Sequence, residues 1–292
     1  MTRAFTGGLL AAVGSFATSV AAEPHVAKGL TLELVADRSE LVPGKPISLG
    51  VALKPDEGFH TYWRQPGLVG LTPTVTWSLP EGFQVGELLW PEPQRGKMAA
   101  YGVWCLKRET CLVAPITVPA TLDPKTTPSL TFKASVVWMA CSRTCHPGTA
   151  DLTLTLPVRA AETENASVPP GARLIAQTRQ EQPAEATGWS FAARYHGPQH
   201  GFSLTITPPS GRSVPADAYF YGHQRLVDSN VEPLRHNLPD GTVRLDLALV
   251  EEPDAIPEIF IGELWSESLW VNEQGAKLLM VRAPLSVSTE GK

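Results

Sequence analysis

Cys141 and Cys145 are separated by three residues in the stretch ACSRTCHPG, residues 140–148. Arg143 lies between them, and His146 and Pro147 follow. Two thiols at that spacing suit four kinds of chemistry: a structural staple, a metal clip, a haem attachment or disulfide exchange. Haem attachment normally reads C-x-x-C-H, and the gap here is one residue longer. A metal site wants three or four ligands, which Cys141, Cys145 and His146 would supply with His60 as a distant fourth. Neighbouring residues on a strand point to opposite faces, which sets Cys145 against His146 as joint ligands. Exchange fits better. A three-residue gap in a turn can bring two sulfurs near bonding distance in a constrained bridge. Strained or exposed bridges are the more readily exchanged ones, and cations beside a thiol, here Arg143 and His146, favour the attacking thiolate. A permanent staple in an exported protein is the plainer alternative.

The other two cysteines, Cys105 and Cys111, flank the charged tip LKRET. Four cysteines allow three connectivities, and local pairing within each couple is the simplest. Read as two arms of a hairpin, VWC and CLVAP would be joined by a structural Cys105–Cys111 disulfide. So short a loop gains less than the roughly 3 kcal/mol expected for one of fifteen residues.

What positions these residues is a run of short strands. In the first half LTLELVA (30–36), ISLGVAL (47–53), TVTWSL (74–79), LTFKASVVWM (130–139) and DLTLTLPV (151–158) alternate apolar and polar residues, the mark of strands facing one core. Alternation puts Trp138 and Ala140 on one face, and Met139 and Cys141 on the other. The second half reads as six more strands: 189–195, 201–208, 217–222, 242–250, 258–265 and 276–285. Gly 24 and Pro 27 are scattered as turn punctuation. The expectation is an all-β chain of two immunoglobulin-like β-sandwich domains. The boundaries read as 23–160 for the first domain, 161–187 for a linker and 188–292 for the second. In the linker, GARLIAQTRQEQ reads as one short amphipathic helix with Leu174, Ile175 and Thr178 inward.

Residues 1–22 read as a secretory signal peptide. Arg3 precedes a small, apolar, uncharged run that ends in VAA before Glu23. No later segment has the roughly 18–20 apolar residues of a membrane span. An exported, periplasmic location permits disulfides. The formal net charge of −5 and the lack of basic clusters speak against a nucleic-acid partner. No G-x-S-x-G, phosphate loop, dinucleotide fingerprint or H-E-x-x-H occurs, and no cofactor is expected.

FHTYWRQPGLVGLTPTVTWSLPEGFQVGELLWPEP (59–93), YG (101–102) and VVWMACSRTCHPG together resemble the periplasmic N-terminal domain of the DsbD family of thiol:disulfide interchange proteins. The nearer likeness is to the branch that includes the copper-tolerance protein ScsB. That branch carries H-x-Y-W, L-P-x-G-F and a strand ending in C-x-x-x-C-x-P. The likeness covers about residues 28–160, and extends more loosely through 171–182 and DAYFYGHQRLVDSN. It implies an immunoglobulin-like redox domain whose cysteine pair takes electrons from a thioredoxin-like or membrane-embedded donor and passes them to exported disulfide-containing proteins. Carried over, the pair is Cys141 and Cys145, and the proline is Pro147. The gap between Cys105 and Cys111 resembles the pair of another branch of the family; the C-x-P context favours Cys141/Cys145. Full-length relatives continue into a membrane domain and a thioredoxin domain. These 292 residues hold neither, so the expectation is a separate membrane donor or a lost activity. The sequence leaves the attacking cysteine open, with Cys141 the first to test and Cys145 the second.

His60, Tyr62 and Trp63 are the supporting candidates in FHTYW: a cap over the pair, or aromatic core with the hydroxyl and indole N–H bonded locally. The imidazole of His60 suits assistance to a thiol. Two rival readings complete the set. One is a non-catalytic β-sandwich scaffold with both pairs as staples. The other is a copper-handling protein using Cys141, Cys145 and His146 or Met139, since soft sulfur suits Cu(I).

Overall fold

The computed structural model describes residues 22–164, 166–252, 254–268, 270 and 275–288. The segment expected to be a signal peptide lies, but for Ala22, outside the described residues.

Among the described residues, eleven strands precede a single helix: β1 (His25–Ala27), β2 (Leu30–Ala36), β3 (Ile47–Pro55), β4 (Thr61–Gly67), β5 (Thr74–Ser78), β6 (Gln84–Val85), β7 (Gln94–Met98), β8 (Tyr101–Leu106), β9 (Thr110–Thr117), β10 (Ser129–Cys141) and β11 (Cys145–Pro157). After the helix α1 (Ala172–Gln180) come β12 (Ser190–Tyr195), β13 (Phe202–Thr207), β14 (Tyr219–Gly222), β15 (Leu234–Asn237), β16 (Val243–Leu247), β17 (Ile259–Trp265) and β18 (Leu278–Val287). The chain is all-β, as the alternation predicts, and each of the eleven strands read from the sequence is present. Strands β8 and β9 contain the two arms read at VWC and CLVAP, and β1, β4, β6, β7 and β15 are additional.

The first half forms three sheets, ordered β1-β2-β3-β9-β6, β11-β10-β5 and β4-β8-β7. The second half forms one sheet, β14-β17-β18-β12-β13-β16-β15, antiparallel except where β12 runs parallel to β18. Period-two patterning is plainest in β10. Phe132, Ala134, Val136, Trp138 and Ala140 are buried, while Thr131, Lys133, Ser135 and Val137 face solvent. Burying a large apolar side chain contributes roughly 1.5–3 kcal/mol. The inward row of β10, with Leu152, Leu154 and Leu156 of β11, therefore anchors the hairpin whose far end carries the cysteines.

The helix is packed rather than free. Leu174 and Ile175 lie against Val35, Ala52, Cys111 and Val113, and Thr178 Oγ1 donates to the Cys111 carbonyl at 2.8 Å. The two halves meet through aromatic side chains. Trp63 and Trp104 both contact Tyr221 edge-on, and Trp104 Nε1 donates to the Tyr219 hydroxyl at 3.1 Å.

Candidate redox site

Strands β10 and β11 pair in continuous register from Ser129↔Pro157 to Cys141↔Cys145. The cysteines are thus the last pair of a long hairpin. Residues 142–144 turn the chain, with the Ser142 N–H donating to the Thr144 carbonyl at 3.1 Å. The two sulfurs are bonded as a disulfide. Cys141 is also held from its other side. Its N–H donates to the His60 carbonyl at 2.8 Å, and the His60 N–H donates to the Cys141 carbonyl at 2.9 Å. One backbone segment therefore ties the disulfide to β4.

That tie explains how FHTYW is divided. Residues 60 and 62 share a face of the extended chain, and His60 lies opposite Cys141. Tyr62 consequently reaches the sulfurs. Its O–H donates to Cys141 Sγ at 3.0 Å and lies 3.9 Å from Cys145 Sγ. His60 is buried and packs edge-on against the Tyr62 ring, and among the described residues its Nε2 has no hydrogen-bond partner. Trp63 points the other way, into the core, where its indole N–H donates to the Pro91 carbonyl at 3.0 Å. The two aromatic residues are thus divided: Tyr62 is buried against the disulfide, and Trp63 is core.

The two sulfurs differ in exposure. Cys141 is fully buried, whereas Cys145 is only partly so. Adjacency in sequence says nothing about this difference, because residues remote along the chain cover Cys141. Buried around Cys141 are Tyr62, Val103 and Cys105; Val69, Met98, Met139 and Cys145 form the partly buried rim. Arg143 and Pro147 are exposed on either side of Cys145. His146 Nε2 sits 3.0 Å from Thr144 Oγ1, and its ring leans on Phe59.

Burial governs the titrating groups. It pushes the Tyr62 hydroxyl up to about 12, with Cys105 adding to the rise, so Tyr62 stays a proton donor at any physiological pH. Burial lowers the His60 pKa, and Lys107 adds to the drop, which favours the neutral ring. Burial also raises the Cys105 thiol to about 11, a rise that Lys107 opposes.

The expected Cys105–Cys111 disulfide is absent: both are free, buried thiols. They are not arms of one hairpin. Strand β8 pairs with β4 and β7, while β9 pairs with β3 and β6. The charged tip between them carries the chain from one sheet to another. Cys105 joins the cluster around Cys141, and its S–H donates to the Gln94 carbonyl at 3.4 Å. Cys111 lies beneath the helix with Ile175. Among the described residues, no three His, Cys, Asp or Glu side chains converge as a metal site.

The rim residues Val69 and Met98 escaped the sequence reading, as did the place of Cys105 beside Cys141. They come from β7, β8 and the β4–β5 connection, and the alternation had placed none of those strands. Gly70 was a signal that was available. Its φ is +123°, and a Cβ there would sit 2.2 Å from the Tyr62 ring.

Residues 32–157 match the family model described as "Thiol:disulfide interchange protein DsbD, N-terminal". This stretch is a DsbD N-terminal domain. The match includes the whole β10–β11 hairpin and Tyr62, so the Cys141–Cys145 disulfide belongs to a thiol:disulfide interchange module. Among solved structures, the N-terminal periplasmic domain of ScsB from Proteus mirabilis superposes with a TM-score of 0.58 at 16% identity, covering 88% of this chain and 94% of that one. At that identity the likeness establishes the fold, and it extends beyond the DsbD N-terminal domain into the second half. The periplasmic chaperone SfaE aligns over 87% of this chain and 100% of its own at 12% identity, but its TM-score of 0.21 carries no argument. A search of curated proteins returned no match. Among the described residues, no helix is long and apolar enough to cross a membrane.

Proposed function

We propose that this chain is an exported, periplasmic thiol–disulfide exchange protein that relays reducing equivalents through Cys141 and Cys145. Its donor is a thioredoxin-like or membrane-embedded dithiol protein, and its acceptors are exported proteins with disulfides. In this reading residues 1–22 direct export, residues 23–160 carry the redox pair, residues 161–187 connect, and residues 188–292 form a second β domain. The observation that carries the proposal is the asymmetry of the disulfide. One sulfur is buried under a tyrosine hydroxyl, and the other is partly open to solvent.

The exchange runs as follows. A donor thiolate attacks Cys145 Sγ and forms a donor–Cys145 disulfide. The Cys141–Cys145 bond breaks, and Cys141 leaves with the electron pair as a thiolate. The Tyr62 O–H, already aimed at that sulfur, stabilises the developing charge, as hydrogen bonds to charged groups do more strongly than neutral ones. A second donor thiolate then attacks the donor sulfur of the mixed disulfide and releases Cys145. The domain has gained two electrons, and its two thiolates take protons from solvent. In the forward direction the Cys145 thiolate attacks a substrate disulfide, and Cys141 resolves the intermediate by attacking Cys145 Sγ.

The proposal is tested by equilibrating the protein across a dithiol redox series and trapping free thiols by mass. The pair is expected to open in the range of thioredoxin-like proteins, roughly −270 mV to −120 mV. A pair that stays closed until well below about −300 mV, where structural bridges lie, refutes the relay.

A further inference from the structure

Residues 228–231, which lie in the second half far from the cysteines in sequence, grip two segments of the redox domain at once. The Leu68 N–H donates to Ser229 Oγ at 2.9 Å, and the Ser229 O–H donates to the Gly102 carbonyl at 2.7 Å. The Gly102 N–H donates to Asn230 Oδ1. The approach is close enough to exclude side chains. A Cβ on Gly67 would sit 2.4 Å from Ser229 Oγ, and one on Gly102 would sit 2.3 Å from the Ser229 carbonyl oxygen. The gripping turn is itself braced. The Asn230 N–H donates to Asp228 Oδ1 at 2.8 Å, and the Asp228 N–H donates to the Ala248 carbonyl at 2.8 Å.

Both gripped segments lead directly to the rim of the redox cluster. Leu68 is followed by Val69, a rim residue, and by Gly70, whose backbone lies against the Tyr62 ring. Gly102 pairs with Lys97 beside the hairpin tip, where Met98, another rim residue, pairs with Tyr101. That tip is weak on its own account. Ala99 holds φ at +53°, a left-handed conformation that a side chain disfavours, so the turn depends on support from outside. Among the described residues, Ser229 is the one side chain that bonds to both segments.

We propose that Ser229 is a positioning residue: it holds the Val69 and Met98 segments closed over the redox cluster, and so lets the second half set how fast thiols reach the disulfide. The inference rests on the exchange reading of Cys141 and Cys145. It gives the second half a role in access, with no contact of its own to the sulfurs. A partner that engages residues 228–231 would loosen both rim segments together.

The test compares wild type, Ser229→Ala and Asn230→Ala as full chains. The probe is dithiothreitol, and the readouts are the rate of disulfide reduction by quench and mass, the midpoint potential, and amide hydrogen exchange at Leu68 and Gly102. Ser229→Ala is expected to speed reduction about fivefold, in line with losing a net hydrogen bond or two, and to leave the midpoint unchanged. The Leu68 amide should exchange faster in step. A faster Leu68 amide with a wild-type reduction rate overturns the proposal, and a shifted midpoint with no change in rate does so too. If Ser229→Ala does not fold, Asn230→Ala gives the same readouts through the Gly102 amide. The wild-type midpoint separately tests the exchange reading, so a disulfide that opens normally at an unaltered variant rate removes the clamp and leaves the relay standing.

Discussion

The Tyr62 hydroxyl donates to Cys141 Sγ at 3.0 Å across 79 positions of sequence. It is the contact that makes the two sulfurs of the pair chemically unequal. A thiolate formed at Cys141 has a hydrogen-bond donor waiting in a buried site, where such a bond is stronger than in water. A thiolate formed at Cys145 has solvent.

Tyr62→Phe keeps the ring that packs against Gly70 and His60 and removes the donor. The reduced state loses more than the oxidised state, so the midpoint potential should fall. The reduced Cys141 accepts as a neutral thiol, and a net hydrogen bond of that kind is worth about 1 kcal/mol, or roughly 20 mV for a two-electron couple. Redox titration of the variant beside wild type reads this directly; an equal midpoint assigns the hydroxyl a packing role only.

The free thiols give a second prediction. Alkylation of the unreduced, denatured protein should add two labels, on Cys105 and Cys111, and none on the other pair. Burial raises the Cys105 thiol from 9.0 to about 11. The unfolded chain therefore loses that proton first as pH rises. The stability it contributes is full below pH 9.0 and is lost as pH climbs toward about 11. Urea unfolding at pH 8 and pH 10 should show a drop that is smaller in Cys105→Ala.

His60 works on the acid side. Its folded pKa lies below 6.5 because burial penalises the charged ring. The unfolded chain takes up the proton first as pH falls, so stability is full above 6.5 and is lost as pH drops through that value toward the folded one. Unfolding midpoints at pH 7.5 and pH 5.5 should differ in wild type and converge in His60→Phe, which keeps an aromatic ring in the buried site.

Much of this site could be read from the sequence where the signal is local. Alternation in KASVVWMAC put Trp138 and Ala140 on one face and Met139 and Cys141 on the other, and in β10 the first of these is the core face. Leu174, Ile175 and Thr178 were legible as the inward face of the helix for the same reason. VWCLKRETCLVA misled because two alternating arms about a charged tip look alike whether they pair with each other or part to different sheets. That choice is made by β3, β4, β6 and β7, which are remote in sequence. Which sulfur is covered was illegible too. Arg143 and His146 are neighbours of the sulfurs along the chain, while the covering residues come from positions 62, 69, 98 and 103. The grip of Ser229 on Leu68 spans 161 positions, beyond any pattern of period two.

The most direct test of the account is which single cysteine captures a partner. The partner is a thioredoxin-fold protein with one active-site cysteine, activated as a mixed disulfide with thionitrobenzoate. Attack by a thiolate of this chain forms the protein–protein disulfide and releases thionitrobenzoate, which is read by absorbance and by mass. Cys141→Ala leaves the partly exposed Cys145 and should form the complex at least roughly tenfold faster than Cys145→Ala, which leaves only the buried sulfur, because exchange rates follow access. Equal or faster capture by Cys145→Ala contradicts the account.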